Sequence, residues 1–324
     1  MGGFASKNRF PVDGRTVVIT GGSQGMGRSV ARLLATKGAN VLIVARGIPN
    51  LEETVEGLSK VAIRPSQRFH YISADLTSPT EAARVLSEAT RWNSNQPPDI
   101  VWCCAGIAVP GLFIETEIDT HRDQMDSNYF SSAYIAHSTL RNWLSLPFST
   151  SKAKEPRHLI FTSSVIAFYP LIGYSPYTPS KSALRALSDT LSQELQLYSK
   201  GDSVKVHTIF PATIFSAAHE RENLTKPAIT KKLEESDGGQ TPDEVAIASV
   251  RGLERGEEMV TTSGLLGYAM KVGMLGASKR NGWGVVDTIA SWIVSVVLMV
   301  VRRDMDGTVR KWGLENGSQV GQKT

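Results

Sequence analysis

Cysteine is nearly absent. The 324 residues contain two, Cys103 and Cys104, side by side. That rules out a disulfide framework and leaves too few thiolates for a tetrahedral zinc site; no metal is expected. A reducing, cytosol-facing environment is the default. A dominant charge is lacking too. Lys and Arg number 35 against 31 Asp and Glu, a formal net charge of +4, too mild to argue for nucleic acid. No repeat occurs, and an apolar content of 41% excludes disordered and collagen-like chains. Met1 to Asp13 hold no apolar core of the roughly 7–15 residues that a secretory signal needs.

What the chain does contain is an alternation. TVVIT at 16–20, NVLIVA at 40–45, FHYISA at 69–74, DIVWCCA at 99–105, RHLIFTS at 157–163 and VKVHTIF at 204–210 are short apolar runs. Helical patterns fill 26–37, 51–60, 78–92, 119–146 and 177–198. Near-continuous apolar strands separated by helices predict an α/β fold, a parallel sheet covered on both faces. Right-handed crossovers make it doubly wound, a Rossmann-type sheet with its ligand crevice at the carboxyl ends of the strands. The polar stretch 148–156 reads as a surface insertion. The stretch 211–240, broken by Pro211, Pro227 and Gly238-Gly239, reads as a mobile substrate loop with short helices. The rhythm stops near residue 262. The chain then divides into a dinucleotide-binding and catalytic domain, 1–262, and a C-terminal apolar helical extension, 263–324.

That extension holds the longest apolar run, VVDTIASWIVSVVLMVV at 285–301, followed by Arg302 and Arg303. Its length is near the lower bound for a spanning helix, about 17–25 residues. Spanning, interfacial and core-helix readings all remain open. From Lys271 onward eight basic residues, including Lys279, Arg280 and Lys323, face four acidic ones, an excess equal to that of the whole chain. Apolar surface flanked by cations suits an anionic membrane face.

Two motifs carry chemistry. The first strand runs into Thr20-Gly21-Gly22-Ser23-Gln24-Gly25-Met26-Gly27 and then a helix. A glycine-rich turn here lets backbone approach a pyrophosphate, and the helix N-terminus supplies N–H donors and a positive dipole end. The second motif is Tyr177-Thr178-Pro179-Ser180-Lys181, opening a helix. Spacing of four puts phenol and amine on one face. A phenol with a pKa of about 10 is a poor acid or base at neutral pH. A neighbouring ammonium is expected to stabilise the phenolate and lower that pKa.

The spacing TGxxxGxG, together with YxxxK, resembles the short-chain dehydrogenase/reductase family, over about 250 residues. The resemblance implies a nicotinamide dinucleotide held by Gly21, Ser23, Gln24, Gly25 and Gly27, with Tyr177 and Lys181 also touching it. It places a ribose contact at Arg46, after the second strand. An arginine there suits a 2′-phosphate, so NADPH is expected rather than NADH. Asp75 and Leu76 take the position of adenine contacts. Ala105 and Gly106 follow Cys103-Cys104 where the family usually has Asn-Asn; the loss of those amides leaves the hydrogen bonding at that strand end in question. Ser164, thirteen residues before Tyr177, matches the serine that binds the substrate carbonyl, with Ser163 as its competitor. Asn128 matches the family's helix-kinking asparagine, which holds a water that links the lysine to solvent. Pro211-Ala212 replaces the usual Pro-Gly, so residue 212 must avoid positive φ.

A substrate is suggested by Ile214, Phe215, Ala217, Ala218 and Leu224 in the loop and by the apolar extension. Within the family the chain resembles the 3-ketodihydrosphingosine reductases of fungi and animals. That likeness implies NADPH-dependent reduction of 3-ketosphinganine to sphinganine at the cytosolic face of the endoplasmic reticulum membrane. It also implies a homodimer or homotetramer, joined through helices 119–146 and 177–199. The alternatives are another lipid-type carbonyl reductase, acting on a steroid, retinoid or 3-ketoacyl group, and a non-catalytic nucleotide-binding scaffold.

Overall fold

The structure is a computed structural model that describes residues 8–145, 155–195, 204–273 and 282–316. Seven parallel strands form one sheet. They are β1 (Thr16–Thr20), β2 (Asn40–Ala45), β3 (Phe69–Ser73), β4 (Ile100–Cys103), β5 (Arg157–Thr162), β6 (Val204–Phe210) and β7 (Met259–Thr261). Their order is β3-β2-β1-β4-β5-β6-β7. The order reverses between β1 and β4, which opens a crevice at their carboxyl ends.

Eleven helices are described. Those covering the sheet are α1 (Gly25–Thr36), α2 (Ile48–Lys60), α3 (Pro79–Trp92), α4 (Ile118–Gln124), α5 (Ser131–Ser145) and α6 (Thr178–Glu194). Toward the C-terminus lie α7 (Ala217–Thr225), α8 (Ala228–Glu234), α9 (Pro242–Glu254), α10 (Gly264–Gly273) and α11 (Val285–Asn316). Successive strand residues point to opposite faces. Val17 and Ile19 therefore pack under Val30 and Leu34 of α1 and Val250 and Leu253 of α9, while Val18 joins Val85 of α3, Ile135 and Trp143 of α5 and Leu184 of α6. All are essentially inaccessible to water, which is why the strands are apolar throughout rather than alternating.

Four regions differ from the sequence reading or add to it. Residues 118–145 run helical without a break, but the middle of the stretch is widened. Between α4 and α5 lies a π-helical segment, Met125–Phe130. A widened turn of this kind appears where a side chain is pulled into a functional site, and here Asn128 is buried in it. The second difference is β7, which is too short to show a pattern and is fixed by its register beside Thr208–Phe210. The third is 211–240, where the expected short helices are α7 and α8. Lys226 ties α7 to α8 through Glu222 at 3.2 Å and Glu234 at 2.6 Å.

The fourth concerns the extension, whose first helix belongs to the catalytic body. Met270 of α10 packs on Ala167, Phe168, Phe210 and Met259. Helix α11 is fastened to α10 by a buried pair, Lys271 with Asp287, at 3.7 Å, and Tyr268 donates to the same carboxylate at 3.3 Å. At Gly273 an added Cβ would come 2.5 Å from Leu298, so the two helices touch backbone to side chain there. Among the described residues no helix is long and apolar enough to cross a membrane. Residues 148–154, the expected helix end near Tyr198, and Lys279, Arg280 and Lys323 lie outside the described residues.

Candidate active site

The crevice is a cavity of about 1240 Å³ that gathers residues from both motifs. The first motif forms its floor. Gly21, with φ +66°, donates its N–H to the Val44 carbonyl at 2.7 Å. A Cβ at Gly21 would lie 2.8 Å from Ala105 backbone atoms, and one at Gly27 only 2.3 Å from the Gly21 carbonyl. The turn after β1 thus nests against the turn after β4 with no room for side chains. Gln24 caps α1 with no side-chain hydrogen bond, and the first turn of α1 has no acid. Its N–H groups and dipole are left for an anion, and the cradle fits a dinucleotide pyrophosphate.

Arg46 lies exposed at the end of β2 and lines the cavity; its own carbonyl is held by the Ser73 hydroxyl at 2.9 Å. Asp75 and Leu76 line the same end. The Thr77 N–H, at 3.1 Å, and hydroxyl, at 2.9 Å, hold the Asp75 carboxyl below the usual range, with a smaller contribution from Arg46. The strand end that lacks Asn-Asn is repaired by Thr20, whose hydroxyl accepts from Cys104 N–H and Ala105 N–H, both at 3.1 Å. Ala212 is absent from the positive-φ residues, as required.

The second motif stands across the crevice. Tyr177 caps α6 and Lys181 sits in its first turn. The buried Lys181 ammonium donates to the Thr162 carbonyl at 3.0 Å and lies 5.6 Å from the Tyr177 ring centroid. Ser164, just beyond β5, donates to the Pro211 carbonyl at 3.4 Å and accepts the Ile166 N–H at 3.3 Å, and its hydroxyl acts on the Tyr177 phenol. Ser163 instead donates to the Lys181 carbonyl at 2.7 Å, so it is engaged in supporting the helix. Asn128 is fully buried and its amide clasps Ile107, donating to its carbonyl and accepting its N–H, each at 2.9 Å. That clasp presses Gly106 toward the lysine: a Cβ there would lie 2.5 Å from Asn128 Oδ1 and 3.3 Å from Lys181 Nζ. The Asn128 amide thus shapes a backbone turn.

The electrostatics correct one expectation. Burial pushes the Tyr177 phenol well above its ordinary pKa, and the negative charge of Glu222 adds to this. The Ser164 hydrogen bond pulls the other way. Burial also lowers the Lys181 pKa, to about 8. Desolvation is the largest cause for both groups. The upward direction favours the protonated phenol, the form that donates to a carbonyl oxygen.

The far end of the cavity is apolar and comes from an unexpected source. Ile214 and Ala218 contribute, but Phe215 and Leu224 are 53% and 81% exposed, and neither they nor Ala217 line it. The wall is built by Leu266, Met270, Val294, Val297, Leu298 and Val301 of α10 and α11. Glu222, Glu234, Asp237 and Arg221 also line the cavity. Sequence reasoning missed these carboxylates and the wall, because contacts formed across a hundred residues leave no local spacing.

Sheet order, glycine cradle and the Ser164-Tyr177-Lys181 set together define a dinucleotide-binding reductase. The chain belongs to the short chain dehydrogenase family, whose pattern matches residues 15–227. It is 48% identical to the 3-ketodihydrosphingosine reductase of Aspergillus fumigatus, over 96% of this chain and 88% of that protein. It is 47% identical to the 3-ketodihydrosphingosine reductase of Neurospora crassa, over 98% of this chain and 87% of that one. A short-chain dehydrogenase from Sphingobium yanoikuyae, solved in complex with NADPH, shares the fold. Its TM-score is 0.63 at 22% identity, covering 78% of this chain and 89% of that one.

Proposed function

We infer that this chain is an NADPH-dependent oxidoreductase that reduces 3-ketosphinganine to sphinganine in sphingolipid biosynthesis. The observation that carries the reading is near-half identity to two reductases of that activity across almost the whole chain, the C-terminal helices included. Arg46 at the ribose end suits a 2′-phosphate, which favours NADPH.

A reduced nicotinamide bound in the crevice supplies a hydride for the C3 carbonyl carbon. The protein supplies the rest. Ser164 and Tyr177 donate hydrogen bonds to the carbonyl oxygen and stabilise the charge that develops on it. Tyr177 then gives its proton to that oxygen. Lys181, charged near neutral pH, stabilises the phenolate left behind and restores its proton. Asn128 is a positioning residue that holds the Gly106-Ile107 turn against the lysine.

A specific observation favours an amino ketone over a steroid or retinoid. Glu222, Glu234 and Asp237 line the cavity with Arg221, and Lys226 pairs with two of these carboxylates. The surplus negative charge suits a substrate ammonium beside the ketone. The outer face of α11 suits a membrane surface. Ile289, Ile293, Val296 and Val300 are more than half exposed, while other residues of the helix line the cavity; an exposed apolar stripe of that kind suits contact with a membrane. By the family resemblance the chain acts at the cytosolic face of the endoplasmic reticulum, with α4 to α6 as the dimer or tetramer interface.

The test is turnover with NADPH on 3-ketosphinganine beside a steroid ketone. Sphinganine formation with little steroid reduction is expected; the reverse preference overturns the substrate assignment.

A further inference from the structure

Helix α11 presents an oddity that the reductase reading leaves unexplained: it is apolar on two sides. Ile289, Ile293, Val296 and Val300 form an exposed stripe. Val294, Val297, Leu298 and Val301 line the reactive cavity, Val297 and Val301 remaining 54% and 40% exposed. Those four fall at i, i+3, i+4 and i+7, one continuous stripe of a helix. A helix that merely anchored the protein would need only the first face.

We propose that α10 and α11 form the alkyl-chain site of the enzyme, and that the inner stripe sets which chain lengths are turned over. The proposal rests on the lipid-ketone reading above. Three features carry it. The cavity is continuous from Ser164 and Tyr177 to the stripe, so a ketone held at one end directs its tail to the other. Its volume of about 1240 Å³ exceeds the roughly 300–1,000 Å³ that holds one drug-sized ligand, leaving room for a nucleotide and a second molecule. The wall is also fixed in place, through the buried Lys271–Asp287 pair and the contact of Gly273 with Val294 and Leu298. One turn beyond Val301, Asp304 lines the same cavity. It ends the apolar stripe with a carboxylate, which makes further methylenes unfavourable and gives the site a measured length.

Each methylene that moves from water into such a site favours binding by about fourfold. Filling the stripe should therefore act on long chains selectively. In Val297→Trp and Leu298→Trp the ratio of kcat/KM for a long-chain over a short-chain 3-keto amine should fall by about tenfold or more, the loss of two buried methylenes. In Val296→Trp, on the outer face, the ratio should stay within about twofold, less than one methylene is worth. A second measurement uses the unmodified protein. A long-chain 3-keto amine with a diazirine at its tail should label the peptide containing 294–301. An unchanged ratio in both inner variants, or labelling confined to 214–225, overturns the proposal. Absence of turnover with any 3-keto amine by the unmodified protein, with a steroid ketone reduced instead, would show that the underlying reading has failed.

Discussion

Tyr177 is half-buried and Lys181, one helical turn on, is buried; desolvation pushes them in opposite directions, the phenol up and the amine down to about 8. Removing the phenol oxygen in Tyr177→Phe should lower turnover by about 10²–10⁴-fold, the usual value of positioned proton transfer. NADPH affinity, measured by fluorescence titration, should change little. The pH profile follows from the sign of the Lys181 shift. The amine is charged below its pKa and neutral above it, so proton resupply is intact in acid and fails in base. The kcat for reduction should be flat below pH 7 and decline above about pH 8, with no acid limb from Tyr177. Arg46→Asp should reverse the sign at the 2′-phosphate. Loss of a charged hydrogen bond of about 1.5–3 kcal/mol implies roughly a 10- to 150-fold fall in the preference for NADPH over NADH, read from the ratio of kcat/KM. These roles were legible in the sequence because each sits in a contiguous motif. The influence of Glu222 on Tyr177 was not, because it crosses the cavity from α7.

The core α/β rhythm was equally legible, since strands buried on both faces must be apolar throughout and helices between them must not be. Elements whose form depends on distant partners were hidden. The π-helical widening at Met125–Phe130 reflects the clasp of Asn128 on Ile107, and β7 exists only through its pairing with β6. The α10–α11 pair is of the same kind: its apolar text was plain, its placement over the cavity was not. Lys271 and Asp287 are 6% and 9% exposed. Removing one partner strands a buried charge, at a cost of about 3–5 kcal/mol. Lys271→Ala should therefore loosen α11 and expose it to limited proteolysis, whereas Lys271→Met with Asp287→Leu should restore much of the resistance.

At the scale of the molecule, one cavity joins a polar reacting end to an apolar wall whose outer surface faces solvent. In the proposed function the same helix encloses the lipid tail and meets a bilayer, which would give the substrate a short path from one to the other. Ile289→Glu with Ile293→Glu should weaken co-sedimentation with anionic phospholipid vesicles several-fold, because each charge must leave water. Binding equal to that of the unmodified protein would assign the outer face to an interface between protein copies instead.

The central claim is hydride delivery to a long-chain amino ketone with proton donation by Tyr177. It is tested most directly by incubating 3-ketosphinganine with NADPH deuterated on the transferring face and locating the label by mass spectrometry. The account predicts sphinganine with one deuterium at C3, formed in step with NADPH oxidation and nearly abolished in Tyr177→Phe. Label-free product, or undiminished formation in that variant, would contradict it.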